Sequence, residues 1–377
     1  MKIILAIIMS LSFAAAQAQF DLTLIVTDSS AGEPQDVYVA GSFNNWQQND
    51  ASHKLTKQAD GTYAITLHNV PAGKPEYKFM HGTWEKVETT ATGDDVANHE
   101  LTLSGNYKTN AIIKGWKDGK PQQRKHTASA NVHIIDTAFF IPQLNRYRRI
   151  WIYLPENYAS SKQKYPVLYM HDGQNLFDAY TAPFGEWGVD ECLDTLQKQL
   201  NKYAIVVGID HGNDKRLTEY NFYDNTRFGK GEGKLYAAFL EKTLKPWIDA
   251  HYRTKPEAKY TAVAGSSLGG LVSHSIILDA PNVFGAAGIF SPSYWIAPKI
   301  YDDAAKALSL KQHLNFFFYC GGKEGDSMQS DMERMMKLLM QNRHFSAKEN
   351  FAPDAKHNEG AWHVAFADFY RFWVGKW

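Results

Sequence analysis

Between Asn131 and Trp377, runs that are apolar at almost every position alternate with amphipathic segments, and this alternation narrows the fold more than any other feature of the chain. The strand-like runs are Arg149-Ile150-Trp151-Ile152-Tyr153-Leu154, Pro166-Val167-Leu168-Tyr169-Met170, Ala204-Ile205-Val206-Val207-Gly208-Ile209 and Tyr260-Thr261-Ala262-Val263-Ala264. Two more follow at Gly285-Ala286-Ala287-Gly288-Ile289-Phe290 and Leu314-Asn315-Phe316-Phe317-Phe318-Tyr319. A strand without a polar face has to be covered on both sides. The intervening segments carry helical periodicity, clearest over 235–251, where Leu235, Phe239, Leu244, Trp247 and Ile248 fall close to one face. Residues 131–377 are therefore expected to form an α/β domain, a mostly parallel sheet with helices on both faces.

The preceding text obeys a different period. Asp21-Leu22-Thr23-Leu24-Ile25-Val26, Val37-Tyr38-Val39-Ala40 and Tyr63-Ala64-Ile65-Thr66-Leu67 alternate as half-buried strands do, with turn residues at Asp60-Gly61 and Pro71-Ala72-Gly73. They predict a small all-β, immunoglobulin-like sandwich over residues 19–106. Gly115-Trp116-Lys117-Asp118-Gly119-Lys120-Pro121 and the basic, polar text after it read as a linker over 107–130. At the start, Met1-Lys2, an apolar stretch over 3–16 and the small-x-small site Ala16-Gln17-Ala18 predict a signal peptide over 1–18 and an exported, periplasmic or secreted product. Nothing after the signal is apolar for long enough to span a bilayer.

Forty basic residues balance forty acidic ones, which argues against a nucleic-acid partner, since a phosphate backbone calls for a basic stripe. Cys192 and Cys320 are the two cysteines, compatible with a disulfide or with free thiols. No zinc spacing or calcium loop is present, and no metal or organic cofactor is implied.

The chemistry concentrates in Gly265-Ser266-Ser267-Leu268-Gly269-Gly270. This run follows a β-branched strand and precedes an apolar helical stretch, the setting in which G-x-S-x-G holds a serine on a sharp, exposed strand-to-helix turn. Ser267 is the predicted nucleophile, with Ser266 its neighbouring alternative. A serine needs a base, and in α/β-hydrolases the order along the chain is nucleophile, acid, base. His357, in a polar loop before the last helical segment, is the predicted base. His274, His313, His344 and His363 also follow Ser267, but fall in or beside elements where structural roles are expected. The acid is expected after the strand ending Tyr319-Cys320-Gly321-Gly322, at Glu324, with Asp326 the alternative; a Ser-His dyad without an acid is the other possibility. The backbone amides of Leu268 and Gln174 are the predicted oxyanion donors. His171 and Asp172 come too early in the order to be catalytic and are read as shaping their loop. Trp187, Tyr220 and Trp295 are candidate pocket walls.

These residues resemble the Putative esterase family within the α/β-hydrolases. It includes feruloyl and acetyl-xylan esterases, esterase D, and the enterochelin and bacillibactin trilactone esterases. The resemblance spans 131–377 and rests on Tyr165-Pro166-Val167-Leu168-Tyr169-Met170-His171-Asp172-Gly173-Gln174-Asn175-Leu176-Phe177-Asp178, the elbow, Phe290-Ser291-Pro292-Ser293-Tyr294-Trp295 and His357-Asn358-Glu359-Gly360-Ala361-Trp362. It implies Ser267 and His357 as catalytic residues and, less uniformly, Glu324 as the acid. The N-terminal region resembles the glycogen-binding module of the AMP-activated kinase β-subunit through Gly41-Ser42-Phe43-Asn44-Asn45-Trp46 and Tyr77-Lys78-Phe79. That resemblance implies sugar contacts at Trp46, Lys78, Trp84 and Asn98, although His81-Gly82-Thr83-Trp84 departs from the kinase text. The expected substrate is an acetylated or feruloylated plant-type polysaccharide or oligosaccharide, cleaved through an acyl-enzyme. A siderophore trilactone, met by Arg216, Arg227 and Lys230, is the enzyme alternative. A non-catalytic carbohydrate-binding surface protein on a hydrolase scaffold is the other.

Overall fold

The structure is a computed structural model that describes residues 18–30, 35–91, 93, 95–117, 125–226, 228–325 and 327–377. The signal-peptide stretch over 1–17, the linker centre over 118–124, Arg227 and Asp326 lie outside the described residues. Contacts divide the chain after residue 123 into two compact units.

The first unit is all-β. Gln19–Asp28 runs antiparallel to Tyr63–Pro71 and parallel to Tyr107–Ile113, and a second sheet pairs Tyr38–Gly41 with Glu76–Met80. Leu22, Leu24 and Val26 from the first sheet meet Val39, Tyr77 and Phe79 from the second in one core. The strand Tyr107–Ile113 corrects the expected linker start at 107. It is a sheet-edge strand on which only Ile113 is buried, so it carries no apolar alternation to betray it.

The second unit holds an eight-stranded sheet. Its strands are β1 (Val132–Ile141), β2 (Arg146–Tyr153), β3 (Val167–His171), β4 (Ile205–Ile209), β5 (Thr261–Ser266), β6 (Ala286–Phe290), β7 (Leu314–Gly321) and β8 (Phe345–Ala352). The spatial order is β1-β2-β4-β3-β5-β6-β7-β8, antiparallel up to β4 and parallel from there on. All of β3, β4, β5 and β6 is buried, as strands apolar on both faces require. One face packs Leu271, Val272 and Ile276 of helix Leu268–Asp279 against Val263 and Ile289. The other packs Leu193 and Leu196 of helix Val189–Leu200 and Phe366 and Phe369 of helix Glu359–Val374 against Leu168 and Phe317.

The expected helix over 235–251 forms with one π-turn, Leu240–Leu244, between Gly233–Phe239 and Lys245–His251. Leu235 is 46% exposed, correcting its place on the buried face, which Tyr236, Phe239, Leu240, Leu244 and Ile248 supply. Cys192 and Cys320 are both free, Cys320 fully buried in β7. No helix among the described residues is long and apolar enough to cross a membrane. The loops after β3, β5, β7 and β8 leave the carboxyl ends of parallel strands, the edge where open α/β sheets hold their ligands.

Candidate active site

β5 ends at Ser266, and helix Leu268–Asp279 starts two residues later. The single residue between them, Ser267, has φ 57° and ψ −117°, a conformation few side chains adopt. Holding it costs about 1–3 kcal/mol, offset by the surrounding packing. None of the elbow glycines has positive φ; they are needed for close approach. A Cβ on Gly265 would sit 2.9 Å from the Gly269 carbonyl carbon, and one on Gly270 would sit 2.7 Å from the Phe290 oxygen. Helix, elbow and β6 thus touch backbone to backbone, and Ser267 N–H donates to the Phe290 carbonyl at 2.9 Å.

On the other side of the site, the loop after β7 turns Glu324 inward until its side chain is fully buried. One carboxylate oxygen, Oε1, accepts from Gly321 N–H at 2.7 Å and from Ser291 Oγ at 2.8 Å. The other, Oε2, lies 2.9 Å from His357 Nδ1. Ser291 Oγ accepts in turn from Trp362 Nε1 at 2.9 Å, and the Trp362 ring stands edge-on to His357 with centroids 5.0 Å apart. The imidazole is therefore fixed at Nδ1 and packed on one flank, a state in which Nε2 is the free, basic nitrogen.

Ser267 and His357 line one cavity of about 430 Å³, with Asp172, Asn175, Phe184, His211, Arg216, Glu359 and Trp362 among the other walls. Ser267 Oγ shares a hydrogen bond of 3.2 Å with Ser293 Oγ, and no Ser267–His357 bond is formed among the described contacts. Catalytic hydrogen bonds often close only when substrate is bound.

This geometry coincides with a family match. Residues 141–372, more than half of the chain, match the family described as Putative esterase. The chain belongs to that family. It is a carboxylic ester hydrolase. Over 202 residues the esterase is 26% identical to the Endo-1,4-beta-xylanase/feruloyl esterase of Xylanibacter ruminicola, covering 51% of this chain and 25% of that protein. Its N-terminal module is similar to part of the Alpha-amylase of Niallia circulans, 44% identical over 84 residues that make up 22% of this chain and 6% of that one. The enterobactin esterase FES from Shigella flexneri, solved in the presence of enterobactin, has the same fold. Its TM-score is 0.57 at 16% identity, covering 91% of this chain and 88% of that one.

Other expected residues of the esterase fall in three groups. Leu268 opens the elbow helix, so its amide has no carbonyl a turn earlier to donate to, and Gln174 is the middle residue of the 3-10 turn Gly173–Asn175. Gln174 also ties two loops together, its Oε1 accepting from His211 N–H at 3.2 Å. His171 and His274 are buried against the hydroxyls of Tyr236 and Tyr294, and burial pushes both imidazoles down to about 3, which suits structural roles.

The candidate pocket walls Trp187, Tyr220 and Trp295 need correction. Trp187 is 2% exposed, packed in the core between Phe290 and Trp362. Tyr220 is fully buried behind the cavity, where its hydroxyl accepts from Asp172 N–H at 3.3 Å. Trp295 is 60% exposed, edge-on to Phe228 and off the cavity wall.

Arg216, expected at the pocket, and Asp172, expected to shape its loop, both line the cavity, while their pairing and the wall residue Glu359 were not anticipated. Asp172 is held in a left-handed conformation, φ 58°, and receives Arg216 in a bidentate pair, 2.7 Å at Oδ1 and 2.9 Å at Oδ2. Burial disfavours its charge, but Arg216 outweighs that and holds the carboxyl below its usual range. Glu359, the first residue of the final helix, lies 3.4 Å from Asn175 Nδ2. Burial raises its carboxyl to about 7, against the pull of its own backbone N–H. The signal available in the sequence was position: each of these residues follows the carboxyl end of a strand or opens a helix.

Glu359 makes a prediction about pH. Its folded value is raised above the ordinary value of 4.5, so between 4.5 and 7 the folded state binds more protons than the unfolded one. Its contribution to stability is present below the ordinary value and is lost as pH rises through about 7. Glu359→Gln is expected to flatten this slope and to stabilise the protein by roughly 1–3 kcal/mol at alkaline pH, read by urea unfolding at acid and alkaline pH.

Proposed function

We propose that the protein is an exported serine esterase that removes acetyl or feruloyl groups from plant-type polysaccharide or oligosaccharide, through an acyl-enzyme on Ser267. In the first half-reaction His357 Nε2 takes the Ser267 proton as Oγ attacks the ester carbonyl. Glu324 holds the imidazole tautomer and stabilises the imidazolium that forms. The amides of Leu268 and Gln174 receive the developing oxyanion. The imidazolium then returns its proton to the leaving sugar hydroxyl. In the second half-reaction His357 takes a proton from water, hydroxide equivalent adds to the acyl carbonyl, and Ser267 departs reprotonated.

The observation that supports a sugar rather than a catecholate is the state of the cavity's guanidinium. Arg216 gives Nε and Nη2 to Asp172 in a bidentate pair and lies over the Tyr220 ring, so its charge is already compensated by a buried carboxylate and its draw on an anionic ligand is weakened. The remaining polar wall suits hydroxyls: Glu359, His211, and Asn175, whose buried Oδ1 has no donor among the described residues. Lys230, the other cation of the trilactone alternative within the described residues, is exposed and is not a wall of the cavity. The feruloyl esterase named among the similar proteins supports the same substrate class. A panel of acetylated xylan, a feruloylated arabinoxylan oligosaccharide, methyl ferulate and enterobactin tests it. Preference for the carbohydrate esters is expected, and turnover of enterobactin alone would overturn the reading.

The N-terminal module is proposed to hold the polysaccharide. Trp46 and Trp84 pair at 6.1 Å, both half-buried, and offer ring surface of the kind that stacks on apolar sugar faces. Lys78 reaches the Val96 carbonyl, and Asn98 donates to Glu76 Oε2 at 2.9 Å. Affinity electrophoresis of the parent in gels containing xylan or glycogen should show retardation that Trp46→Ala with Trp84→Ala abolishes. Free migration of the parent would end the proposal for this module.

A further inference from the structure

At the first turn of helix Val189–Leu200, among residues that do not themselves line the Ser267 cavity, three carboxylates converge. Glu186, Asp190 and Glu191 each offer one oxygen, and these oxygens lie within 4.8 Å of one another. A helix N-terminus tolerates acidic side chains by itself, which accounts for exposed Glu191. It does not account for Asp190. That residue is fully buried, and while Oδ2 accepts from Ser129 N–H at 2.7 Å, Oδ1 is shut off from solvent with no donor among the described residues. Its carboxyl is within hydrogen-bonding reach of Glu191, so the atom facing Asp190 is another acceptor.

Glu186 is held by one hydroxyl, Thr127 Oγ1, at 2.9 and 3.0 Å from its two oxygens. The charged neighbours are the wrong sign or already engaged. Asp178 adds a further negative charge and is itself paired with His126, and His363 is turned by its 2.6 Å bond to the Trp187 carbonyl. No lysine or arginine pairs with the three among the described residues. A cluster of oxygen acceptors that includes a buried orphan lacks a positive charge.

We propose that Glu186, Asp190 and Glu191 bind a hard divalent cation of the calcium type. Such a cation takes oxygen ligands from mono- or bidentate carboxylates and completes its shell with water, and oxygens this close together around one ion match that geometry. Bound there, it would fasten residues 125–131, through Thr127 and Ser129, to the start of the helix. It would also fix Glu186, two residues beyond Phe184, which lines the esterase cavity. The sequence offered no loop motif for such a site, because its ligands fall outside calcium-loop spacing.

The test uses the full chain after removal of divalent ions with EDTA. Melting is followed at pH 8.5 and pH 6 in sodium chloride of matched ionic strength, with and without millimolar calcium chloride, and calcium binding is measured by calorimetry. A melting temperature raised by roughly 3 °C or more at pH 8.5 is expected, with a smaller rise at pH 6 where protons compete. Glu191→Gln, on the exposed member, and Asp190→Asn with Glu191→Gln should lose the calcium response, and the double variant should melt higher than the cation-free parent. A melting temperature that climbs on acidification but ignores calcium would mean that protons alone neutralise the cluster, and would overturn the proposal. So would a calcium response that survives in both variants.

Discussion

Ser267→Ala is expected to lower kcat on an acetyl or feruloyl ester by about 10⁴–10⁶-fold, the loss that follows removal of a serine nucleophile. KM should change little, because the cavity walls are untouched. The adjacent Ser266→Ala, which ends β5 and leaves the elbow side chain in place, should keep activity within an order of magnitude. A third variant separates chemistry from strain. Ser267→Gly also removes the nucleophile, but glycine adopts φ 57° without penalty. A gain of about 1 kcal/mol over Ser267→Ala is expected by urea unfolding, the elbow strain relieved less the entropy cost of glycine. A Ser267→Gly variant less stable than Ser267→Ala by about 0.5–1 kcal/mol, the bare entropy cost of glycine, would mean that the elbow stores no strain.

Glu324→Gln carries the second large effect. The amide can keep one acceptor oxygen for Gly321 N–H and Ser291, yet it presents NH₂ to His357 Nδ1. A donor facing Nδ1 selects the tautomer with its proton on Nε2, which cannot accept from Ser267. The loss in kcat is expected at about 10⁴-fold, with the melting temperature nearly unchanged. Glu324→Ala should lose activity similarly and also about 1–3 kcal/mol of stability, since two buried donors then lack an acceptor. Asp326→Asn is expected to be neutral. Wild-type rates in Glu324→Gln would establish a Ser-His dyad, and a loss confined to Asp326→Asn would transfer the acid role.

Much of this was legible because it is encoded locally. The elbow is a strand, a turn and a helix within a dozen residues, Glu324 stands at a short offset from the end of an apolar run, and His357 stands just before the last helical segment. The layering of the α/β domain follows from strands that lack a polar face. What was not legible depends on partners far away in the chain. The Asp172–Arg216 pair spans 44 positions, and the Ser291–Glu324 bond spans 33. Neither residue type nor spacing says that Arg216 is already engaged, which decides the character of the cavity. The aromatic walls failed for a related reason. Trp187, Tyr220 and Trp295 sit in short connecting segments where burial, packing behind the site and exposure are equally compatible with their text. The edge strand Tyr107–Ile113 hid because an edge needs no apolar face, and its pairing is carried by backbone.

The second unit draws its specificity from buried polar groups as well as from its core. Glu324 accepts from a backbone amide and a serine hydroxyl while facing the histidine, so its carboxylate is positioned without a substrate. Ser267, by contrast, rests on Ser293. In the proposed reaction Oγ is expected to leave Ser293 and turn to His357 Nε2 when an ester enters the cavity.

The most direct measurement is to label the active protein with a fluorophosphonate and locate the adduct by peptide mass spectrometry. One phosphonyl group on Ser267 is predicted, formed in parallel with loss of esterase activity, absent from Ser267→Ala and strongly slowed in Glu324→Gln. An adduct on Ser266 or Ser293, or full esterase activity in Ser267→Ala, would contradict the assignment.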